Sequence, residues 1–155
     1  MWTVKQIFEF IVLASLTLTV SVSFLFNQNR VRADALFFKG DFYDAHLTDP
    51  YSYKYAYALG TALLAQAKAK EAVPYLEKAT TLHPNYPDAF NNLAVAYLKV
   101  GKYRYGLDLI DETFKKWPTH AAVKANKEMG DRLRKSMGVR VGVKVLDKIK
   151  EKVAK

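Results

Sequence analysis

The chain contains no cysteine, no charged residue between Phe10 and Phe26, and neither glycine nor proline before Gly40. The missing thiol excludes a disulfide framework, a thiolate metal site and a lipid-modified amino-terminal cysteine. Histidine is scarce. His46, His83 and His120 lie far apart with no carboxylate at ligand spacing, and are read as surface side chains. Asp108, Asp111 and Glu112 are neighbours of the kind that mark a solvated helix face, and there is no glycine-rich loop to cradle a phosphate. No catalytic, cofactor-binding or metal site is expected, no small-molecule substrate, and hence no enzyme.

The uncharged stretch Leu13–Phe26 alternates hydroxyl and apolar residues from Ser15 to Ser23, a pattern of half-buried strands. Its length argues otherwise. Strands usually hold five or six residues, whereas about twenty apolar residues in a helix cross a hydrocarbon layer of about 30 Å. The expectation is a transmembrane helix within residues 1–29, embedded over 7–26, with each hydroxyl bonding a carbonyl one turn back. Ser15, Thr19 and Ser23 then share one face, where small residues let a neighbouring membrane helix approach. A cleaved secretory signal is the rival reading, with Lys5 as its basic start and Ser21-Val22-Ser23 as a small-x-small site. Arg30, Arg32 and Lys39 beyond the span outnumber Lys5 and the amino terminus before it, which favours the cytoplasmic side for the rest of the chain.

The net charge of +9 is concentrated at the other end. Residues 132–155 hold nine basic and two acidic side chains, so that segment alone carries +7. Within the tail, residues 138–155, Val143, Leu146, Ile149 and Val153 form an apolar stripe flanked by Arg140, Lys144, Lys148, Lys150, Lys152 and Lys155. A basic amphipathic segment of this kind suits an anionic membrane surface or an acidic partner. Aromatic residues are not interleaved with these cations, so nucleic acid is not expected.

Between span and tail the sequence repeats itself with an offset of 34 residues. Ala56-Tyr57-Ala58-Leu59-Gly60-Thr61-Ala62-Leu63 aligns with Phe90-Asn91-Asn92-Leu93-Ala94-Val95-Ala96-Tyr97, and Ala72 with Gly106, Leu76 with Ile110, Ala79 with Thr113, Pro84 with Pro118. Small residues stay small and large ones large, as two closely packed antiparallel helices require. The prolines close each unit. An incomplete copy precedes them: Gly40-Asp41-Phe42-Tyr43-Asp44-Ala45 matches Gly101-Lys102-Tyr103-Arg104-Tyr105-Gly106, and its turn comes 27 residues before the next. Its second helix should therefore be about seven residues shorter and stop at Asp49-Pro50. With no helix breaker before Gly40, the span is free to run on as the first helix of that hairpin unless Asn27-Gln28-Asn29 interrupts it.

These repeats resemble the tetratricopeptide repeat. The resemblance implies an all-α solenoid of helical hairpins: a truncated hairpin over 30–52, repeats over 53–86 and 87–120, and a capping helix over 121–137 with Ala122, Ala125, Met129 and Leu133 in register. It also implies a concave face built from the first helix of each hairpin and used to bind other proteins. Helical spacing puts Tyr57, Thr61, Leu64, Asn91, Val95 and Leu98 on that face, with Tyr53 and Lys54 at its rim. Relatives that grip a chaperone's terminal carboxylate carry lysine and asparagine where this chain has Tyr57 and Thr61. Of the tyrosines between Tyr51 and Tyr57, two are expected to pack between the truncated hairpin and the first full one. The expected role is a membrane-anchored scaffold, an accessory subunit or assembly factor of a membrane-protein complex, with a receptor for a soluble peptide as the alternative.

Overall fold

The computed structural model describes residues 4–153, and the side chains of residues 4–138. Its helices are α1 (Val4–Lys39), α2 (Phe42–Thr48), α3 (Tyr53–Ala65), α4 (Ala69–Leu82), α5 (Pro87–Lys99), α6 (Tyr103–Lys116) and α7 (Ala121–Val153), and no strand occurs among the described residues. Each helix packs against the next in the chain. The starts of α3, α5 and α7 fall 34 residues apart, so α7 takes the place of a third repeat's first helix.

The turns between paired helices share one geometry. At Gly40, Ala67 and Gly101 the backbone enters the left-handed region, with φ of 87°, 61° and 82°. The next amide bonds back five residues each time: Asp41 to the Leu36 carbonyl at 3.0 Å, Lys68 to Leu63 at 2.9 Å and Lys102 to Tyr97 at 2.9 Å. Such a turn satisfies the last carbonyls of a helix and prefers glycine, whose missing Cβ removes the steric penalty.

α1 crosses Asn27-Gln28-Asn29 without a break and spans 36 residues. From Val4 to Arg32 its side chains are exposed all round, and Ala33 is its one buried residue, packed against Ala45 and Tyr55. The same helix is thus an exposed apolar rod at one end and half of a packed hairpin at the other. α2, the second half, has 7 residues against 14 in α4 and in α6.

Small residues set the closeness of the full hairpins. A Cβ built on Gly60 would lie 2.7 Å from Leu76 Cγ, and one on Gly106 would lie 2.8 Å from Leu98 Cγ and 2.9 Å from the Ala94 carbonyl oxygen. Ala72, Leu76, Leu93 and Ala96 form a buried cluster between the repeats, while Ala94, Leu107 and Ile110 form the next one along. Tyr97 ties α5 to α4 by donating its hydroxyl to Glu77 at 2.6 Å, and burial together with that carboxylate pushes its pKa up to about 12.

The C-terminal helix covers the last hairpin with two of the four expected residues, Met129 and Leu133, joined by Val123 and Met137. Ala122 and Ala125 are exposed, whereas Val123 is buried and Met129, Leu133 and Met137 pack on Leu107 and Ile110. The shift follows from the repeat register, since Val123 stands 34 residues after Ala89, itself buried against Ala56 and Ala79. α7 then continues past residue 137 into the basic tail as one helix.

Candidate interaction surfaces

On the face made by α3, α5 and α7, side-chain amides join neighbouring helices. Asn92 Nδ2 donates to Thr61 Oγ1 at 3.0 Å and to the Tyr57 hydroxyl at 3.4 Å. Asn126 Nδ2 donates to Asn91 Oδ1 at 2.7 Å. Tyr57 and Thr61 are half-buried, as is Val95.

Asn91, Leu64 and Leu98 do not line an open groove. Asn91 is only 8% exposed and occupied by Asn126, because it sits between α5 and α7. Leu98 packs into the space left by Gly106 of its own hairpin, and Leu64 is half-buried against the cluster of Ala72, Leu76, Leu93 and Ala96. A leucine opposite a glycine or alanine gains more from that apolar gap than from water. Lys54 is exposed at the start of α3 as expected, and Tyr53 is half-buried.

A second surface is the edge where α2, α4 and α6 end and α3, α5 and α7 begin. Tyr55, 3% exposed, donates its hydroxyl to Asp34 at 2.5 Å, and burial with that carboxylate raises its pKa far above the ordinary tyrosine value. Arg30, Tyr51 and Lys54 share a cavity beside it. Lys78 Nζ lies 6.0 Å from the Tyr51 ring centroid, and Tyr53 stacks edge-on to His83 at 4.4 Å and to Tyr86 at 5.5 Å. Further along, Lys116 donates to the Pro84 carbonyl at 2.7 Å and lies over Trp117 at 4.5 Å, and Trp117 meets Phe90 at 5.5 Å. Of the tyrosines between 51 and 57, Tyr55 packs against the truncated hairpin through Ala33, Ala45 and Phe37, Tyr53 and Tyr57 are half-buried against Tyr86, and Tyr51 is 74% exposed.

The histidines and Asp111 are not simple surface groups, whereas Asp108 and Glu112 are exposed as on a solvated face. His46 is 7% exposed, stands edge-on to Tyr75 at 5.4 Å, and has its pKa lowered by burial and by nearby Lys78. His83 belongs to the tyrosine cluster, and His120 Nε2 lies 3.4 Å from Asp88. Asp111 faces α7: Arg134 binds it through Nη2 at 2.5 Å and Nη1 at 3.2 Å, with Lys127 Nζ at 3.5 Å. Lys127 also pairs with Asp131, which holds that carboxyl below its ordinary range. Among the described residues no three histidine or carboxylate side chains gather as a metal site.

Asn92 and Asn126 carry no part of the sequence expectation, although their 34-residue separation was a visible sign of a shared role. The hydroxyls of Ser15, Thr19 and Ser23 donate to the carbonyls of Val12, Leu16 and Thr19 at 2.8 Å each. The cationic positions of the tail, Arg140, Lys144, Lys148, Lys150, Lys152 and Lys155, lie outside the residues whose side chains are described.

The sequence pattern of the tetratricopeptide repeat matches residues 63–126. The Sgt2 tetratricopeptide domain of Aspergillus fumigatus superposes with a TM-score of 0.58 at 16% identity, over 72% of this chain and 80% of that one. The fold is a tetratricopeptide-repeat solenoid. The second such domain of human RPAP3, in complex with an HSP70 peptide, gives a TM-score of 0.54 at 17% identity over 66% of this chain and 92% of that one. The type III secretion translocator chaperone SycD of Yersinia enterocolitica gives 0.53 at 14% identity over 77% and 88%. Comparison with curated protein sequences finds no match. Tetratricopeptide solenoids are in general interaction scaffolds without catalytic machinery of their own.

Proposed function

We propose that this chain is a single-pass membrane scaffold, an accessory subunit or assembly factor that holds partner proteins of a membrane complex beside the bilayer. The observation that carries this reading is α1. It is long and apolar enough to cross a membrane, its apolar stretch is exposed along its described length, and it continues unbroken into the first hairpin. A helix that is hydrophobic all round needs an apolar surrounding, which lipid supplies. The basic residues after the span favour a cytoplasmic solenoid. Ser15, Thr19 and Ser23 give one face of the span a low relief, against which a second membrane helix can pack.

Capture of a soluble peptide is the second reading. It draws on the half-buried hydroxyl and amide array of Tyr57, Thr61 and Asn92, together with the peptide held by the RPAP3 domain. Against it, part of that array is already committed to bonds between α3 and α5.

The deciding experiment is purification of the tagged protein from membranes in a gentle detergent, followed by mass and composition of what elutes with it. A fixed set of membrane proteins in constant ratio is the expected result. Elution alone, with a peptide captured instead, would replace the scaffold by the receptor. Loss of the partner set on changing Ser15, Thr19 and Ser23 to leucine would assign the contact to the span.

A further inference from the structure

We propose that the solenoid edge at which α1 enters seats on the headgroup layer of an anionic bilayer, through Arg30, Tyr51, Lys54, Lys115 and Trp117. The inference rests on the reading of α1 as a membrane span.

The geometry begins with helix rise. Arg30 lies four residues past Phe26, about 6 Å along the axis, and a headgroup layer is about 5–7 Å deep. α1 is continuous here, so Arg30 has no freedom to swing away from the membrane. α2 runs back along α1, and the loop that follows it returns to this level: Tyr51 and Lys54 line one cavity with Arg30, and Tyr55 bonds Asp34 one turn beyond. Tyr51, a large aromatic, is three-quarters exposed at the depth where tyrosine and tryptophan anchor membrane proteins.

The rest of the edge is tied to that point by contacts. Lys78 reaches Tyr51, Tyr53 touches His83 and Tyr86, and Lys116 bonds the Pro84 carbonyl and covers Trp117. The loops 49–52, 83–86 and 117–120 are therefore one continuous rim, while the left-handed turns at Gly40, Ala67 and Gly101 form the opposite rim. The charge on the anchored rim is lopsided. Asp34, Asp49, Asp88 and Glu112 keep their negative charge at this rim, Asp34 and Asp49 in the cavity with Arg30 and Lys54, but the cations Arg30, Arg32, Lys54, Lys78, Lys115 and Lys116 outnumber them. Arg30, Lys54 and Lys115 are exposed, and exposed cations beside half-buried aromatic rings match phosphate above acyl chain.

The absence of cysteine makes the test direct. Single cysteines are placed at Tyr51 and Lys115 on this rim, at Lys102 on the opposite rim and at Leu16 in the span of the full chain. Each is labelled with a fluorophore and reconstituted in phosphatidylcholine–phosphatidylglycerol nanodiscs. Quenching is read with acyl-chain nitroxide lipid, headgroup nitroxide lipid and aqueous iodide. The expected result is acyl-chain quenching at Leu16→Cys, and headgroup quenching at Tyr51→Cys and Lys115→Cys with iodide access about fivefold below that at Lys102→Cys. Adding Lys54→Gln should weaken seating about fivefold. If the Leu16→Cys label is not quenched by acyl-chain nitroxide, the span reading fails. If that label is quenched but the rim labels are as open to iodide as Lys102→Cys, the span stands and the seated rim is wrong. Rim labels shielded from iodide yet unquenched by headgroup nitroxide would mean that protein covers the edge, which also overturns the proposal.

Discussion

Asn126 reaches across 35 residues to give its amide to Asn91 at 2.7 Å, and the acceptor it serves is buried. The bond fastens α7 to α5 three residues after the buried Val123. Asn126→Ala leaves the Asn91 carbonyl without a partner and should lower stability by about 1–3 kcal/mol, read as an earlier urea transition. Replacing both residues with leucine should cost less than the single change, since no polar group is then stranded.

Ala67 holds the left-handed turn that glycine holds at Gly40 and Gly101. An L-residue pays about 1–2 kcal/mol for that conformation, partly offset by the greater unfolded-state freedom of glycine. Ala67→Gly should therefore raise the thermal midpoint, with a gain of about 0.5–1 kcal/mol. An unchanged or lower midpoint would show that the turn is not strained.

Gly106 tests the closeness of the second hairpin. Alanine is the better helix former by about 1 kcal/mol, yet its Cβ would meet Leu98 and the backbone oxygen of Ala94. The backbone contact cannot relax by a rotamer change, so Gly106→Ala should destabilise by about 1–3 kcal/mol. Circular dichroism on heating would read the loss, and shortening Leu98 to alanine in the same chain should not restore it.

His46 links the truncated hairpin to pH. Burial and Lys78 lower its pKa from 6.5, with Asp49 opposing, so the folded chain prefers the neutral ring. The stabilisation is present above the unfolded value and is lost as pH falls through the folded one. Unfolding free energy measured at about pH 7 and about pH 5 should drop for the natural chain, and drop less for His46→Phe.

The repeat was legible because its requirements are written in side-chain size. Gly60, Ala72, Ala94 and Gly106 admit a neighbouring helix only if they are small, and Pro84 and Pro118 end α4 and α6 by lacking an amide hydrogen. Spacing on a single helix, however, does not say which neighbour a side chain meets. Asn91 and Asn92 differ by one residue, about 100° on the helix, yet one faces α7 and the other α3. Leu98 has the right phase for a groove and packs inward because the opposing helix carries Gly106. His46 looked external because nothing in its own helix shows that Tyr75 of α4 will cover it.

On the proposed reading of α1 as a membrane span, a rod that joins bilayer to solenoid without a hinge fixes compass bearing as well as height. Each residue of α1 between Phe26 and Ala33 sets the heading of the solenoid by about 100° about the helix axis and its height by about 1.5 Å. One added residue there would point the amide face at a different neighbour in the membrane, whereas four would nearly restore its heading about 6 Å farther out. On that reading, partner choice is set by the length of a segment that touches no partner.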